Sequence, residues 1–511
     1  MERDLPPLGR AMILDFAARR AELTPDRRAV WFEGHWHDYR ELDVRARRLA
    51  ARLAEAGVGP GDRVSILAQN HLAHIDLILA TAKLGFAYTP FNHRLGEVEL
   101  TRLAEYAKPA FLLFDDTNAR KAAAISAVPR LRLNEYEGWL AGAGTIGSYH
   151  RPEPEEIQMI LFTGGTTGTP KGAMLPYRQN FYNGVNTVFS WGLRDDDCVI
   201  QATPCFHAAV NAFTTPLLQL GARVVMQGSF DPGEYLRLVE EQRATILFLV
   251  PTMYQMLARH PEFESADLSS VRWAISGGAP CPEPVREAFA QRGIDFKQGY
   301  GLTEAGVNCF AIELEEAALR PGSVGKPMLH ARAAIRHPSG DEVGPGEVGE
   351  LTLAGPHLFA GYLADPDATA EVLRDGWLWT GDLAREDEEG YFYLVGRRKE
   401  MFISGGENVF PVEIENVLYR HPSVAECTVV GVPDEHWGEV GVAAVVLAGG
   451  QAQEPAPLID ELREFVASQL ARYKVPKRFI LLSELPKSGA GKVLKREIVA
   501  MAGREQEGSG R

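Results

Sequence analysis

The sequence predicts an α/β protein with a large N-terminal domain of helix-covered mixed or parallel sheets, a small antiparallel β unit, and a small α+β C-terminal domain. From about Glu41 to Gly301, amphipathic helical stretches alternate with short apolar strands, which is the pattern of parallel sheets covered by helices. From about Val324 the texture changes to short alternating strands separated by turn clusters, the signature of antiparallel pairing. The chain has 511 residues, more than one hydrophobic core organises, so more than one subdomain is expected.

In chain order, Met1 to Arg20 carries acids and arginines around a short apolar stretch, Ala11 to Ala18, that Asp15 interrupts. It lacks the apolar core of a secretory signal and reads as the first helix. A helix over 41–56 stops at Gly57 and leads into a strand at Arg63 to Leu67. Ile75 to Tyr88 is broken by Lys83; it is too short to span a bilayer and reads as buried helix and strand. Further strands are read at Phe111 to Asp115, Ile157 to Phe162, Val224 to Met226, Thr245 to Val250, Trp273 to Ser276 and Phe296 to Gln298. In such folds ligands sit at the carboxyl ends of the strands.

Pro338-Ser-Gly-Asp341 and Asp387-Glu-Glu-Gly390 are turns, the second lying between strands at Leu378 to Thr380 and Tyr391 to Val395. The charged cluster Gly396-Arg-Arg-Lys-Glu400 marks the domain boundary: an N-terminal domain over 1–396, a hinge over 397–400 and a C-terminal domain over 401–511. After Gly503 the Gly/Ser/Glu tail reads as disordered.

Composition narrows the function. Hydrophobic residues make up 45% and charged residues 24% of the chain, within the globular range. The 53 Lys and Arg against 68 Asp and Glu give a net charge of -15, which opposes binding to a nucleic-acid backbone. Five scattered cysteines without a C-x-x-C pair read as reduced core thiols. With no apolar run long enough to cross a membrane, the reading is a cytoplasmic protein.

Phe162-Thr-Gly-Gly-Thr-Thr-Gly-Thr-Pro-Lys-Gly172 follows an apolar strand. After Thr163, the glycines Gly164, Gly165 and Gly168 let backbone N–H groups turn towards an anion, Thr166 and Thr167 add hydroxyls, and Lys171 adds positive charge. This is a phosphate-cradling pattern, although not a Walker A loop, because Gly172 follows Lys171. Taken alone, the loop reads equally as a solvated Gly/Thr hairpin.

The same loop resembles the signature of the adenylate-forming superfamily, which contains acyl-CoA synthetases, aryl-CoA ligases, amino-acid adenylation domains and firefly-type luciferases. Gly164 stands where that family commonly has Ser. Resemblance continues in order through Pro204-Cys-Phe-His207, Ser276-Gly-Gly-Ala-Pro280, Gln298-Gly-Tyr-Gly-Leu-Thr-Glu304, Trp379-Thr-Gly-Asp382, Gly396-Arg397, Ser404-Gly-Gly-Glu-Asn408 and Pro486-Lys-Ser-Gly-Ala-Gly-Lys492.

That resemblance implies an ATP-dependent acid:CoA ligase, which converts a carboxylic acid, ATP and coenzyme A to acyl-CoA, AMP and diphosphate through an acyl-adenylate. It places ATP on the 163–168 loop and Lys171, and Mg²⁺ on Glu304 with Thr167; oxygen donors are what that cation takes. Thr303 would donate to the α-phosphate. Adenine would stack on Tyr300, beside Gly301 and the backbone of Gly277 and Gly278. Asp382 would accept the ribose hydroxyls and Arg397 would brace the ribose.

Lys492 would be the principal catalytic side chain of adenylation, stabilising charge at the α-phosphate. The C-terminal domain would be mobile about a hinge at Lys399, where many relatives have Asp, and would bring Gly405 and Gly406 to a pantetheine tunnel. Trp437 resembles a tryptophan that packs on pantetheine, and Lys477 would meet a CoA phosphate. His207 lies beside the implied acyl site, where it would act as a gate or polarising group, or pack as a hydrogen-bonded histidine. Phe181, Val185, Ala208, Ala209, Val210 and Asn308 are the implied pocket positions.

Segments Phe206–Ala209 and Met401–Asn408 are similar to both fatty-acyl and aryl ligases. The fatty acid, of medium or long chain, is the preferred reading, with a benzoate-, cinnamate- or ferulate-type acid as the alternative. An amino-acid adenylation module is disfavoured because His207, Ala208 and Ala209 stand where such modules place an aspartate. Luciferase-like chemistry and an inactive nucleotide-binding homologue are the remaining alternatives. Homodimers are frequent among the relatives. Lys492→Ala should nearly abolish adenylate formation yet largely spare acyl transfer from supplied acyl-adenylate to CoA; single-turnover assays of the two half-reactions would check this, and equal loss in both would remove the role.

Overall fold

The computed structural model describes residues 14–125, 128–144, 149–163, 170–278, 281–434, 436–448, 455–487 and 493–509. Gly164, Gly165, Thr166, Thr167, Gly168 and Lys492 lie outside the described residues. The chain divides into two units, the larger comprising residues up to 280, 289–333 and 353–379, the smaller 281–288, 334–352 and 380 to the C-terminus.

Two seven-stranded sheets organise the larger unit. The first runs in the order Phe296–Gln298, Trp273–Ser276, Ile246–Leu249, Cys198–Gln201, Arg223–Met226, β1 (Arg28–Phe32) and β2 (His35–Asp38). All pairs are parallel except β1 with β2. In the second, Arg130–Arg132, Phe111–Phe114, Arg63–Leu67, Ala87–Pro90 and Ile157–Thr163 pair in parallel, and Lys171–Pro176 and Gly361–Tyr362 add antiparallel strands. The central parallel strands are short and largely apolar, as strands covered by helices on both faces are; Ile246–Leu249 and Trp273–Ser276 are buried at every residue.

The first three helices are α1 (Phe16–Leu23), α2 (Tyr39–Glu55) and α3 (Leu72–Leu84). In α2 the Asp38 side chain caps the first turn by accepting from the Glu41 N–H, and Gly57, at φ 88°, ends the run, a conformation open to glycine. Every residue of α3 from Leu72 to Lys83 is buried. Lys83, which breaks the apolar run in the sequence, is only 1% exposed. Its ammonium reaches Asp15 at 2.6 Å and Asp43 at 2.5 Å, and Asp15 also caps α1. The charge thus ties three helices together where an apolar residue would only fill space.

In the smaller unit, strands Glu407–Val409, Phe402–Ser404, Gly438–Leu447 and Val424–Asp434 form a sheet, with Arg478–Leu482 added in parallel to Gly438–Leu447. Side chains alternate across the strands. Cys427, Val429, Ala443 and Val445 enter one core with Ile414, Val417, Leu462 and Val466, while Val430, Val432, Val442 and Ala444 enter another with Ile498 and Ala502. Both faces are therefore covered by helices. Strands Trp377–Glu386 and Phe392–Arg397 pair antiparallel across the Asp387–Gly390 turn.

Two expectations change. The hairpin β1–β2 precedes Glu41, where the alternation was read to begin. The expected disorder after Gly503 is replaced by helix, since Lys495–Ser509 is continuous; Lys, Arg, Glu, Gln, Ala and Met predominate in it, and these are good helix formers. Among the described residues, no helix is long and apolar enough to cross a membrane.

Removing the Lys83 ammonium leaves two carboxylates facing an apolar helix. Lys83→Ala should therefore lower unfolding stability by about 3 kcal/mol, measured as a shift of the denaturant midpoint. An unchanged midpoint would show that Asp15 and Asp43 relax to water.

Candidate active site

At the carboxyl ends of two neighbouring parallel strands, Ser276 pairs with Gln298 and the Gly299 N–H donates to the Ser276 carbonyl at 2.9 Å. This sets Gly277-Gly278 beside Tyr300-Gly301. Gly278 has φ 82°. A Cβ on Gly301 would lie 2.0 Å from the Val307 carbonyl oxygen, so only glycine fits. Tyr300 is largely buried, its ring edge-on to Phe310 at 5.8 Å. Side-chain-free backbone next to an aromatic ring is a surface on which a flat base can lie.

Thr303 and Glu304 occupy the short turn that follows. The Thr303 carbonyl accepts from Gln179 Nε2 at 2.9 Å, and the Glu304 carbonyl accepts from the Phe359 N–H at 2.8 Å. The Glu304 side chain is 9% exposed, and Tyr362 donates its hydroxyl to Glu304 Oε1 at 2.8 Å. Strand pairing fixes Tyr362, opposite Ala173. Its ring lies beneath the Lys171 ammonium, 5.0 Å from Nζ to the centroid. Burial first, and the neighbouring Glu304 carboxylate second, push the Tyr362 pKa well above the usual phenol value, so the hydroxyl stays a donor.

Lys171 pairs with Thr163, and Thr163 Oγ1 contacts the Lys171 carbonyl at 3.4 Å. The base of the phosphate-loop candidate is therefore a closed antiparallel pair. Arg178 steadies the same region by donating to the carbonyls of Pro356 and Leu358 and pairing with Glu155 at 2.7 Å. Lys171 and Glu304 are thus linked through Tyr362, which the sequence analysis missed. Its only local signal is Gly361, at φ 127°.

The acyl-pocket candidates separate. Phe181 lines a cavity of about 170 Å³ with Leu14, Phe16, Arg20, Tyr177 and Gln219; the lining includes none of Ala208, Ala209, Val210 or Asn308. Val185 is half-buried on the same helix. Ala208 and Val210 are buried in a short turn with Ala209 half-buried between them. Asn308 donates internally, to Thr187 Oγ1 at 3.0 Å and the Ala212 carbonyl at 2.8 Å, which makes its amide a brace between chain segments. His207 stacks obliquely on Phe206, 4.6 Å between centroids, and His93 meets the same ring edge-on at 5.2 Å.

In the smaller unit, Asp382 stands opposite Arg397 in adjacent strands, and Arg397 Nε lies 2.6 Å from Asp382 Oδ1. The Asp382 N–H donates to Thr380 Oγ1 at 3.1 Å and the Gly381 N–H to Glu350 Oε1 at 3.0 Å, which fixes the turn. Arg398 pairs with Glu350 at 3.0 Å. Past Lys399, Glu400 is held by Lys495 at 2.7 Å, and Lys495 also reaches Glu415 at 3.2 Å. Burial lowers the Lys495 pKa, but Glu415 and Glu400 together outweigh it and leave it raised.

Gly405, Trp437 and Lys477 converge. The Gly405 N–H donates to the Trp437 carbonyl at 2.9 Å, and a Cβ on Gly405 would lie 2.8 Å from the indole. Lys477 Nζ sits 5.2 Å from the centre of the same ring. Gly406 follows at φ 88°. An exposed indole flanked by bare backbone and an ammonium suits an extended chain ending in phosphate.

The family model described as AMP-binding enzyme matches residues 17–363, and the one described as AMP-binding enzyme C-terminal domain matches 413–492. The chain is 41% identical to a feruloyl-CoA synthase of an Amycolatopsis species, with 94% of this chain and 97% of the relative covered. It is 35% identical to an indoleacetate–CoA ligase of Aromatoleum aromaticum over 95% of this chain and 97% of that one. Among solved structures, o-succinylbenzoate CoA synthetase from Bacillus subtilis in complex with its acyl-adenylate superposes with TM-score 0.85 at 30% identity, covering 95% of this chain and 97% of that chain.

A hydrogen bond to a carboxylate contributes about 1.5–3 kcal/mol. Tyr362→Phe should therefore slow ATP-dependent diphosphate release roughly 10- to 100-fold while the protein stays folded. Unchanged kinetics would show that the Tyr362 hydroxyl does not matter to Glu304.

Proposed function

The chain belongs to the AMP-binding enzyme family, and on that premise we propose that it is an aryl acid:CoA ligase acting on a planar aromatic acid of the hydroxycinnamate class. The observation that carries this reading is the 41% identity to a feruloyl-CoA synthase across 94% of the chain. The relatives named for indoleacetate and o-succinylbenzoate also take acids with aromatic rings. The aryl acid is accordingly set above the fatty acid that the sequence reading preferred. The ring cluster His93, Phe206 and His207 supports it, because aromatic faces and edges favour another flat ring.

The enzyme is an AMP-forming acid–thiol ligase that uses ATP, Mg²⁺ and coenzyme A. In the first step a carboxylate oxygen attacks the α-phosphorus and diphosphate leaves. In the second, the CoA sulfur attacks the acyl carbonyl and AMP leaves. We assign Glu304, oriented by Tyr362, to Mg²⁺ on the ATP phosphates, where an oxygen donor suits a hard cation. Lys171 would neutralise phosphate charge, Thr303 would donate to the α-phosphate, and Tyr300 with Gly277, Gly278 and Gly301 would hold adenine. Asp382 and Arg397 would take the ribose, and Lys492 the developing charge of adenylation. For the second step, Gly405, Gly406, Trp437 and Lys477 would receive CoA after reorientation at Lys399.

A diphosphate-release screen with ATP and Mg²⁺ tests the substrate class across ferulate, cinnamate, benzoate, indoleacetate and fatty acids from hexanoate to palmitate. Ferulate or another hydroxycinnamate should exceed palmitate in kcat/KM by about 100-fold or more, since shape mismatches in an apolar pocket accumulate. A fatty acid as the best substrate would restore the other reading.

A further inference from the structure

At the edge of the first sheet, outside the groups assigned above, three metal-ligating side chains converge. β1 and β2 are joined by the two-residue turn Glu33-Gly34, with φ 47° and 86°, the left-handed geometry that matches strand twist in tight hairpins. His35 and His37 lie two residues apart on β2 and so share a face of the strand; their rings meet edge to face, 4.6 Å between centroids. The chain then enters α2 directly. The Asp38 cap on the Glu41 N–H, at 2.8 Å, fixes the first turn and brings Glu41 to the two imidazoles. His37 Nδ1 lies 2.6 Å from Glu41 Oε1, and His35 Nε2 lies 3.8 Å from Glu41 Oε2. One ligand atom from each of the three residues lies within 4.8 Å of the others. Among the described residues no other group of three His, Cys, Asp or Glu side chains converges in this way.

We infer that His35, His37 and Glu41 form a binding site for a divalent transition cation of the zinc class, distinct from the Mg²⁺ that accompanies ATP. Two imidazole nitrogens and one carboxylate are a borderline-soft donor set, which zinc-class ions take and Mg²⁺, which prefers an octahedron of oxygens, does not. Tetrahedral bonds of about 2.0–2.2 Å set the donors roughly 3.4 Å apart, so His37 and Glu41 open slightly while His35 closes in. His37 is held, with its side chain 11% exposed, whereas the His35 side chain is 66% exposed and turns in freely. Three protein ligands leave the fourth position to water. In the metal-free protein a hydrogen bond joins His37 Nδ1 and Glu41; with the cation on Nδ1, the hydrogen of the neutral imidazole resides on Nε2. Bound there, the ion clips the edge strand β2 to the first turn of α2.

The test uses the full chain, stripped with a chelator and titrated with ZnCl₂ against a chromogenic competitor, beside His35→Ala and Glu41→Gln. The wild type should bind one zinc ion more tightly than either variant by at least about tenfold, in the presence of millimolar MgCl₂. Its ¹⁵N-histidine resonances for His35 and His37 should shift on zinc addition. Equal zinc affinity in the wild type and both variants, or resonances of His35 and His37 that stay in place, overturns the site. Displacement of zinc by equimolar MgCl₂ overturns the zinc-class assignment.

Discussion

A carboxylate sheltered from water must be met by donors, and in the larger unit this requirement falls on Glu304. The protein meets it with Tyr362, and the consequence spreads through the second sheet. Tyr362 is in place because Gly361–Tyr362 pairs with Lys171–Pro176, and that strand pairs in turn with Ile157–Thr163. The backbone of Glu304 is held from the other side by Phe359, within a segment whose carbonyls Arg178 grips. One buried acid therefore draws together a sheet edge, a helix start and a loop. Hydrogen bonds of this kind add specificity because each partner is costly to leave unmade.

The smaller unit uses charge differently. Asp382 and Arg397 are cross-strand neighbours, so sheet register alone brings them together. Lys495 instead gathers acids that are distant in the chain, Glu400 at the end of the charged cluster and Glu415 on the helix Pro411–Leu418. Glu415 is anchored further, accepting from Thr428 Oγ1 at 3.0 Å and the Val429 N–H at 2.8 Å. The segment after Lys399 is consequently bound to the core of its own unit, while Arg398 before it is tied to Glu350.

Much of this was legible in the sequence wherever burial imposes a local pattern. Trp273–Ser276 matches its expected bounds, because a strand buried on both faces is a short, largely apolar run; Phe296–Gln298 matches too, although Lys297 and Gln298 give it no such run. The hairpin β1–β2 was not legible by alternation, since His35, Trp36, His37 and Asp38 offer none; only Glu33-Gly34 marks it. Tyr362 and Lys495 act through partners far along the chain, and a tyrosine or a lysine has no local pattern that announces such a partner. Resemblance supplied the proposed nucleotide positions, but only the fold shows Asn308 spending its amide inside the protein and Phe181 facing a cavity apart from Ala208 and Val210.

All five cysteines are free and buried. Burial pushes the thiols of Cys198 and Cys309 up to about 12, far from the range in which a thiolate forms at neutral pH. Buried thiols of this kind should react slowly with mild thiol reagents. A single cysteine introduced on either unit would take a fluorophore or spin label by itself, with no need to strip the native thiols first. A pair of such labels, one on each unit, would measure whether the distance between them changes during turnover.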